Sequence, residues 1–425
     1  MPIIIAMFIF FAIGVPIAYT LGATGLVAIF LAEGTRKLAV VPLMIFSGSE
    51  HYALIAIPLF ILMGQIMTQS GIADKIIEFA GALVGWIRGG LGMATVAAGM
   101  AMAAISGSSV ADAAALGSIM IPQMDGRGYG KPFAVAIVCA SATLAQLIPP
   151  SLSLIIFGVI AGVSIGELFI AGIVPGIIMG LLLMMVIYWR ASKMKLPTMG
   201  AFTFTRLRKT FIKAILSLLL PIIVIGGIMG GVFTPTEAGA VGVGYATFIA
   251  AIIYRRLKFK DGINALAITA KRTAIVMLMV GASALLGWYV TDQLIAQKIA
   301  NAILSFSNSK YVVLMLINGM LIITGMFLHG TPMIILLVPI TAPLVQLIGI
   351  DLLHYGVIFT MCTMIGQVSP PVASVLMTAS AMAEIDIHRV VKPLMPLYTV
   401  MFAMLLLITF VPAISLWLPS IIFVK

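Results

Sequence analysis

Four short interruptions carry most of the polar chemistry in this chain: ISGSSVAD at 105–112, IPPS at 148–151, HGTP at 329–332 and SPPV at 369–372. Each sits in a run otherwise dominated by Ala, Ile, Leu, Met, Val and Gly. Ser106, Ser109 and Thr331 offer hydroxyl oxygens. Pro149, Pro150, Pro370 and Pro371 have no N–H, so they disrupt the helical ladder and release carbonyls at Ala145, Ile148 and Pro149, or at Gly366 and Ser369. Neutral oxygens of this kind suit an alkali cation. The helices that resume after the breaks point N–H groups and positive dipole ends back at them, which suits a carboxylate. Ser108 and Ser153 are placed to donate to such an anion. The chemistry on offer is therefore the joint binding of a cation and an organic anion.

Two ionisable residues lie in the same stretches. Asp112 follows the serines by one helical turn. It is a candidate ion or proton group, because intramembrane carboxylates are functional by default; capping the following helix is the competing role. His329 opens the third break, either as a contact to an anion or gate, or as a satisfied structural histidine. His51, His354 and His388 fall near predicted span ends and read as interface anchors.

The elements that hold these breaks follow from composition. The 425 residues are 62% hydrophobic and 9% charged, which excludes a soluble domain. Apolar runs long enough to cross a bilayer recur from end to end. The N-terminus lacks the basic region and cleavage site of a signal peptide, and is expected to be a retained first span. The net charge is +11, but the basic residues fall in loops, as the positive-inside rule requires, so no nucleic-acid partner is implied. Seven of them, from Arg190 to Lys213, form one loop without an acid; a second cluster is Arg255, Arg256, Lys258 and Lys260. Both are expected in the cytoplasm, so the apolar stretch 214–254 between them must cross twice.

The chain also repeats itself. At an offset of 223 residues Gly107 falls on Gly330 and Ser106 on His329; at 221, Gln146, Pro149, Pro150 and Ser153 fall on Gln367, Pro370, Pro371 and Ser374; at 217, Gly14, Gly22 and Gly25 fall on Gly231, Gly239 and Gly242. The first repeat spans 1–213. It has a first span at about 3–31, an arm helix 72–86, a hairpin 91–124, a broken helix 133–162 and the basic loop 190–213. The second spans 214–425, with scaffold helices 214–254, an arm helix 295–306, a hairpin 311–348, a broken helix 355–383 and a final span 394–418. The return loop of the first hairpin carries Arg127 and Lys131, whereas QLIGIDLLHYG in the second carries Asp351 and no Lys or Arg. That bias points to halves of opposite topology, the signature of secondary transporters. Any single break is equally well read as close helix packing by Ser and Gly; four at repeated positions favour a binding site.

Enzyme readings are poor. There is no H-E-x-x-H, G-x-S-x-G or Walker motif and no dinucleotide fingerprint. GSSV lacks the glycine of a rhomboid-like serine site. Without a nucleotide site in the chain, transport is left to an ion gradient.

Three segments together, GVFTPTEAGAVGVGYA (231–246), ISGSSVADAAALGSIMIPQM (105–124) and IPPSLSLIIFG (148–158), closely resemble the large membrane subunit of tripartite ATP-independent periplasmic (TRAP) transporters, in the right order and over essentially the whole chain. The resemblance implies an all-α, polytopic, inverted-repeat fold of the elevator type, with two re-entrant hairpins and broken helices. It implies a multi-pass protein of the bacterial inner membrane that imports an organic acid, of the sialic acid or dicarboxylate class, with sodium. The expected partners are a small four-helix membrane subunit and a periplasmic substrate-binding protein, within the lipid bilayer. Substrate contacts carried over by the resemblance are Ser106, Ser108, Ser153 and His329. Sodium ligands are Ser106, Ser109, Ala145, Ile148 and Pro149 on one side, and Gly325, Thr331, Gly366, Ser369 and Val372 on the other. His329 is a departure, since many relatives carry Asp at that tip. The alternative function is a cation/proton antiporter of related architecture, with Asp112 carrying the proton.

Overall fold

The structure, a computed structural model, describes residue 10 and residues 14–295, 297–298 and 309–423. All regular elements among them are helical. Among the described residues, nine helices are long and apolar enough to cross a bilayer. In hydrocarbon a helix satisfies its own backbone, so this is the element that so apolar a chain must use.

The first half contains α1 (Ile17–Glu33), α2 (Val40–Ser49), α3 (Ala56–Gln69) and α4 (Ile72–Val84), then the hairpin α5 (Gly90–Ser106) and α6 (Ser109–Asp125). Next come α7 (Lys131–Thr143), α8 (Leu152–Ala161) and the long α9 (Ile165–Lys193). The second half contains α10 (Phe204–Met229), α11 (Pro235–Phe248), α12 (Phe259–Asp292), the hairpin α13 (Lys310–Phe327) and α14 (Gly330–Leu347), α15 (Leu352–Gly366), α16 (Ser374–Ala383), α17 (Ile387–Phe410) and α18 (Ala413–Ile422). The chain turns back between α5 and α6 and between α13 and α14, and its helices break between α7 and α8 and between α15 and α16. The double crossing of 214–254 is α10 and α11, reversed at 230–234. Thr234 starts α11 through a reciprocal cap: its Oγ1 accepts from the Glu237 N–H at 3.3 Å, and Glu237 Oε2 accepts from the Thr234 N–H at 2.8 Å.

Several sequence expectations are corrected. Of the span drawn over 3–31, Phe10 and Ile17–Glu33 are helical, with Pro16, which has no N–H to donate, as the N-cap of the second stretch; residues 3–9 and 11–13 lie outside the described ones. The basic stretch 190–213 is not one loop. Helix α9 runs to Lys193 and α10 begins at Phe204, so Arg206, Arg208, Lys209 and Lys213 ride on the first turns of α10, where long basic side chains favour helix and can reach out to the interface. The final span 394–418 is two helices, α17 and α18, separated at Val411–Pro412. His354 is not an interface anchor: it is 2% exposed, with Nδ1 2.7 Å from Ser415 Oγ. The arm helix expected at 295–306 lies largely outside the described residues.

Packing recurs with the halves exchanged. Helix α12 packs on α1, α2 and α3, and α11 on α3. Helix α17 packs on α7, and α9 on α15. Each hairpin leans on the other half's broken helix: α6 on α16, and α14 on α8. The buried centre lies where the halves meet. Phe157 of α8 and Tyr355 and Phe359 of α15 form a triangle of rings with centroids 5.9 Å apart. Two of these pairs are edge-to-face and the Phe157–Phe359 pair is tilted; aromatic contacts of this kind favour one arrangement over sliding.

Close backbone contact sets the hairpin against its own broken helix. Helices α13 and α15 touch at Gly325 and Gly366, where a Cβ on Gly366 would lie 2.5 Å from Gly325 Cα. Nothing flexible is available to give way. Gly366→Ala is therefore expected to lower the stability of the detergent-purified protein by about 1–3 kcal/mol, read as a fall in unfolding temperature. Gly319→Ala, which meets no atom within 4 Å, is expected to leave it unchanged or slightly raised. Equal behaviour of the two variants would refute this contact.

Candidate functional site

The first tip is built by a reversal within four residues. Helix α5 ends at Ser106, and Gly107 takes a left-handed conformation, φ +58°, with its N–H returning to Ala103 O. Ser108 is extended and precedes the first residue of α6, Ser109. Ser106 Oγ accepts from the Ser108 N–H at 3.2 Å. Glycine is required twice over at 107, because a Cβ there would also lie 2.8 Å from Pro150 O. The tip thus sits directly on the break of its own half. Asp112, 1% exposed in the first turn of α6, does not cap that helix: neither carboxylate oxygen accepts from its N–H groups.

The second tip is built differently. Helix α13 ends at Phe327, Leu328 and His329 are extended, and Gly330 begins α14. His329 is half-buried, with Nδ1 3.2 Å from Ser374 Oγ. Ser374 is the counterpart of Ser153 in the repeat, so the histidine holds the serine that its own half places at the start of the resumed helix.

The two breaks also differ. After α7 the chain tightens into a single 3-10 turn, Leu144–Gln146, then passes the cis Pro149–Pro150 bond to Ser151. Ser151 caps α8 by accepting from the Leu154 N–H at 3.4 Å, while its own hydroxyl donates to Gln146 O. After α15 the chain passes the cis Pro370–Pro371 bond to Ala373, whose φ is +49°. Here the N–H groups of Val372 and Ala373 both donate to Met326 O, at 3.2 and 3.1 Å. The second break is stitched to its hairpin through the backbone; the first is held by a serine side chain.

Between the tips lies a cavity of about 590 Å³. Ser108, Ser109, Gln146 and Ser153 line it from the first half. His329 and Thr331 line it from the second tip, and Arg272 of α12 closes the opposite wall. The structure therefore brings together Ser108, Ser153 and His329, the expected substrate contacts, with Ser109 and Thr331. Ser106 opens instead onto two smaller clefts on the α3 side, which Thr68 also lines. Ala145, Ile148, Pro149, Gly325, Gly366, Ser369 and Val372 do not line the cavity. Gly325 lies near the end of α13 against Gly366, and the others lie at or beside the breaks. Ser369 Oγ donates to Ile365 O at 2.6 Å, and Gly366 O accepts from the Ser369 N–H at 3.0 Å. Val372 is 40% exposed.

At the back wall of the cavity two amides meet across the halves. Gln146 Nε2 donates to Gln367 Oε1 and, at 3.0 Å, to Ser109 Oγ; Ser109 Oγ donates to Gln367 Oε1 at 2.9 Å. Gln146 and Gln367 are 2% and 0% exposed. Their spacing was visible as part of the repeat, but their partnership was not, since it spans 221 residues. Arg272 gave no signal either: beside Lys271 it reads as one more basic residue. Its helical spacing to Ile275, Val276 and Met279, which all line the cavity, is the trace that could have found it. Neutral oxygens, amide groups and one guanidinium make a lining suited to an organic anion.

Comparison with known proteins fits this geometry. The family described as "Tripartite ATP-independent periplasmic transporter, DctM component" matches residues 4–414. The chain is 39% identical over 403 residues to the C4-dicarboxylate TRAP transporter large permease protein DctM of Pseudomonas aeruginosa, covering 94% of each. It is 36% identical over 401 residues to the 2,3-diketo-L-gulonate TRAP transporter large permease protein YiaN of Escherichia coli, again covering 94% of each. It is 35% identical over 408 residues to the sialic acid TRAP transporter large permease protein SiaM of Vibrio cholerae, covering 96% of this chain and 95% of that one. Among solved structures, the YdaH transporter of Alcanivorax borkumensis shares the fold with a TM-score of 0.65 at 14% identity, over 97% of this chain and 98% of that one. A multi-pass, all-helical membrane protein with two tips and two breaks around one polar cavity, the chain belongs to the TRAP transporter large permease family and is a secondary transporter of organic acids, not an enzyme.

Proposed function

We propose that the chain imports a small organic acid anion across the bacterial inner membrane, driven by co-transported sodium. It would receive the anion from a periplasmic substrate-binding protein and work beside a small four-helix membrane subunit. The observation that carries this reading is the cavity itself: Ser108, Ser153 and His329 converge on one space from both halves, at the ends of interrupted helices. Non-helical backbone at membrane depth persists only where it is buried in protein or lines a polar cavity. The carbonyls of Ala145, Ile148 and Pro149, and of Gly325, Gly366, Ser369 and Val372, lie at the breaks as ligands for sodium, with the hydroxyls of Ser106, Ser109 and Thr331. The substrate is of the sialic acid or dicarboxylate class, two of the classes that the relatives' names give beside 2,3-diketo-L-gulonate and isethionate.

The exchanged packing of the halves supports inverted-topology repeats, 1–213 and 214–425, and an elevator cycle. In that cycle α5–α9 and α13–α18 travel as one body along the bundle of α1–α3 and α10–α12. Nothing in the fold or among the relatives favours the cation/proton antiporter reading with Asp112.

The Gln146–Gln367 pair makes the moving body one unit, since it joins the first break to the second and Ser109 to both. Gln146→Leu or Gln367→Leu leaves a buried amide without its partner, an expected cost of about 1–3 kcal/mol each. The double variant is expected to regain part of that loss, with a coupling of about 1 kcal/mol or more between the two in unfolding measurements. Strict additivity would show that the pair does not bind the halves together.

The functional test is uptake in proteoliposomes holding the large subunit with its two partners. Labelled succinate and N-acetylneuraminate are offered under inward sodium or potassium gradients. Uptake of at least one acid with sodium alone is expected, together with its loss when the binding protein is omitted. Ser108→Ala and Ser153→Ala are each expected to weaken apparent affinity several-fold, by about 1 kcal/mol for a lost hydrogen bond. Equal uptake with potassium would refute sodium coupling.

A further inference from the structure

We infer that Arg272 binds the carboxylate of the transported anion from the stationary wall of the cavity, so that the protein grips its substrate more firmly on the cytoplasmic side than on the outer side. This rests on the reading above of a dicarboxylate or sialic acid class substrate carried by an elevator cycle.

Position comes first. Helix α12 presents Arg272, Ile275, Val276 and Met279 to the cavity. The spacing i, i+3, i+4, i+7 is a single face of a helix. Arg272 therefore points at the hairpin tips by the same helical phase that buries Met279 at 5% exposure. Lys271, one residue earlier, falls about 100° away on the helix and lines no part of the cavity.

Charge comes second. The ion pairs among the described residues join Lys37 to Glu33 and Asp292, and Lys213 to Glu78. None involves Arg272, and no acid lines the cavity. A guanidinium has five donors in a planar fork that matches a carboxylate. The groups that face it across the cavity, Ser108, Ser153 and His329, suit the rest of a polar acid.

The third point is which body carries it. Helix α12 packs on α1, α2 and α3, whereas the serines and His329 sit on the hairpins and broken helix. When the hairpins move with their anion, Arg272 stays. It therefore contributes to binding in one end state. The N-terminal end of α12 follows Arg255, Arg256 and Lys258, a cytoplasmic cluster by the positive-inside rule. Arg272 lies about 20 Å along the helix from that end, short of its midpoint. The state it serves is the one open to the cytoplasm.

The test compares wild type, Arg272→Gln, Arg272→Lys and Lys271→Gln. Each is assembled with its partner subunits, and succinate and N-acetylneuraminate serve as probes in right-side-out and inverted membrane vesicles. For whichever acid wild type carries, Arg272→Gln is expected to raise half-saturation on the cytoplasmic face about tenfold, the loss of one charge-assisted contact. Half-saturation on the outer face should change less than about twofold. Arg272→Lys should recover part of the loss, and Lys271→Gln should match wild type. An equal change on both faces, no change on either, or the same effect from Lys271→Gln would overturn the inference while leaving anion transport intact. A wild-type protein that moves neither acid would overturn the underlying reading, and this inference with it.

Discussion

A backbone N–H or C=O left unpaired in hydrocarbon costs several kcal/mol, and this chain interrupts its helices at both hairpin tips and at both proline pairs. Three of these interruptions are met from different sources. Ser106 Oγ takes up the Ser108 N–H, Ser151 spans its break with a bond at each end, and Met326 O receives two N–H groups from the second break. The close approach of Gly107 to Pro150 and of Gly325 to Gly366 keeps these irregular segments inside protein and away from lipid. The cavity follows from this constraint, because polar backbone gathered in one place leaves a space that polar groups must line.

The two halves solve the same problem unequally, and the inequality gives the site its direction. Two identical tips would make a site indifferent to which end of an anion it held. Here one tip offers three serines and the other a histidine bound to Ser374. One break is capped by a side chain; the other is tied down by backbone. Among the described residues, one stretch of the surrounding bundle, on α12, brings a positive charge to the cavity. An asymmetric acid, carboxylate at one end and hydroxyls along its length, matches a lining of that kind.

What could be read in the sequence was what composition and local rules control. Proline pairs, Gly turns and serines in an apolar run announce breaks wherever they fall, so the hairpins and broken helices were legible before any coordinates. Pro412 should also have been legible as a helix end, but the unbroken run of apolar residues around it masked the rule. The phase of α12 was not legible. Whether Arg272 faces lipid, water or the cavity depends on how a 34-residue helix is rotated against α1, α2 and α3. His354 was misread for a similar reason: its burial depends on Ser415, 61 residues away. The Gln146–Gln367 bond was hidden by distance in sequence even though each residue marked the repeat.

The central claim is that the breaks exist to hold a cation beside an anion. Hydrogen–deuterium exchange of the protein in lipid nanodiscs, in sodium and then in potassium, tests it most directly. Slower exchange with sodium is predicted in peptides covering 106–109, 144–151, 328–332 and 366–373, with the rest of the chain unchanged. Identical exchange in the two salts at all four segments would contradict the account.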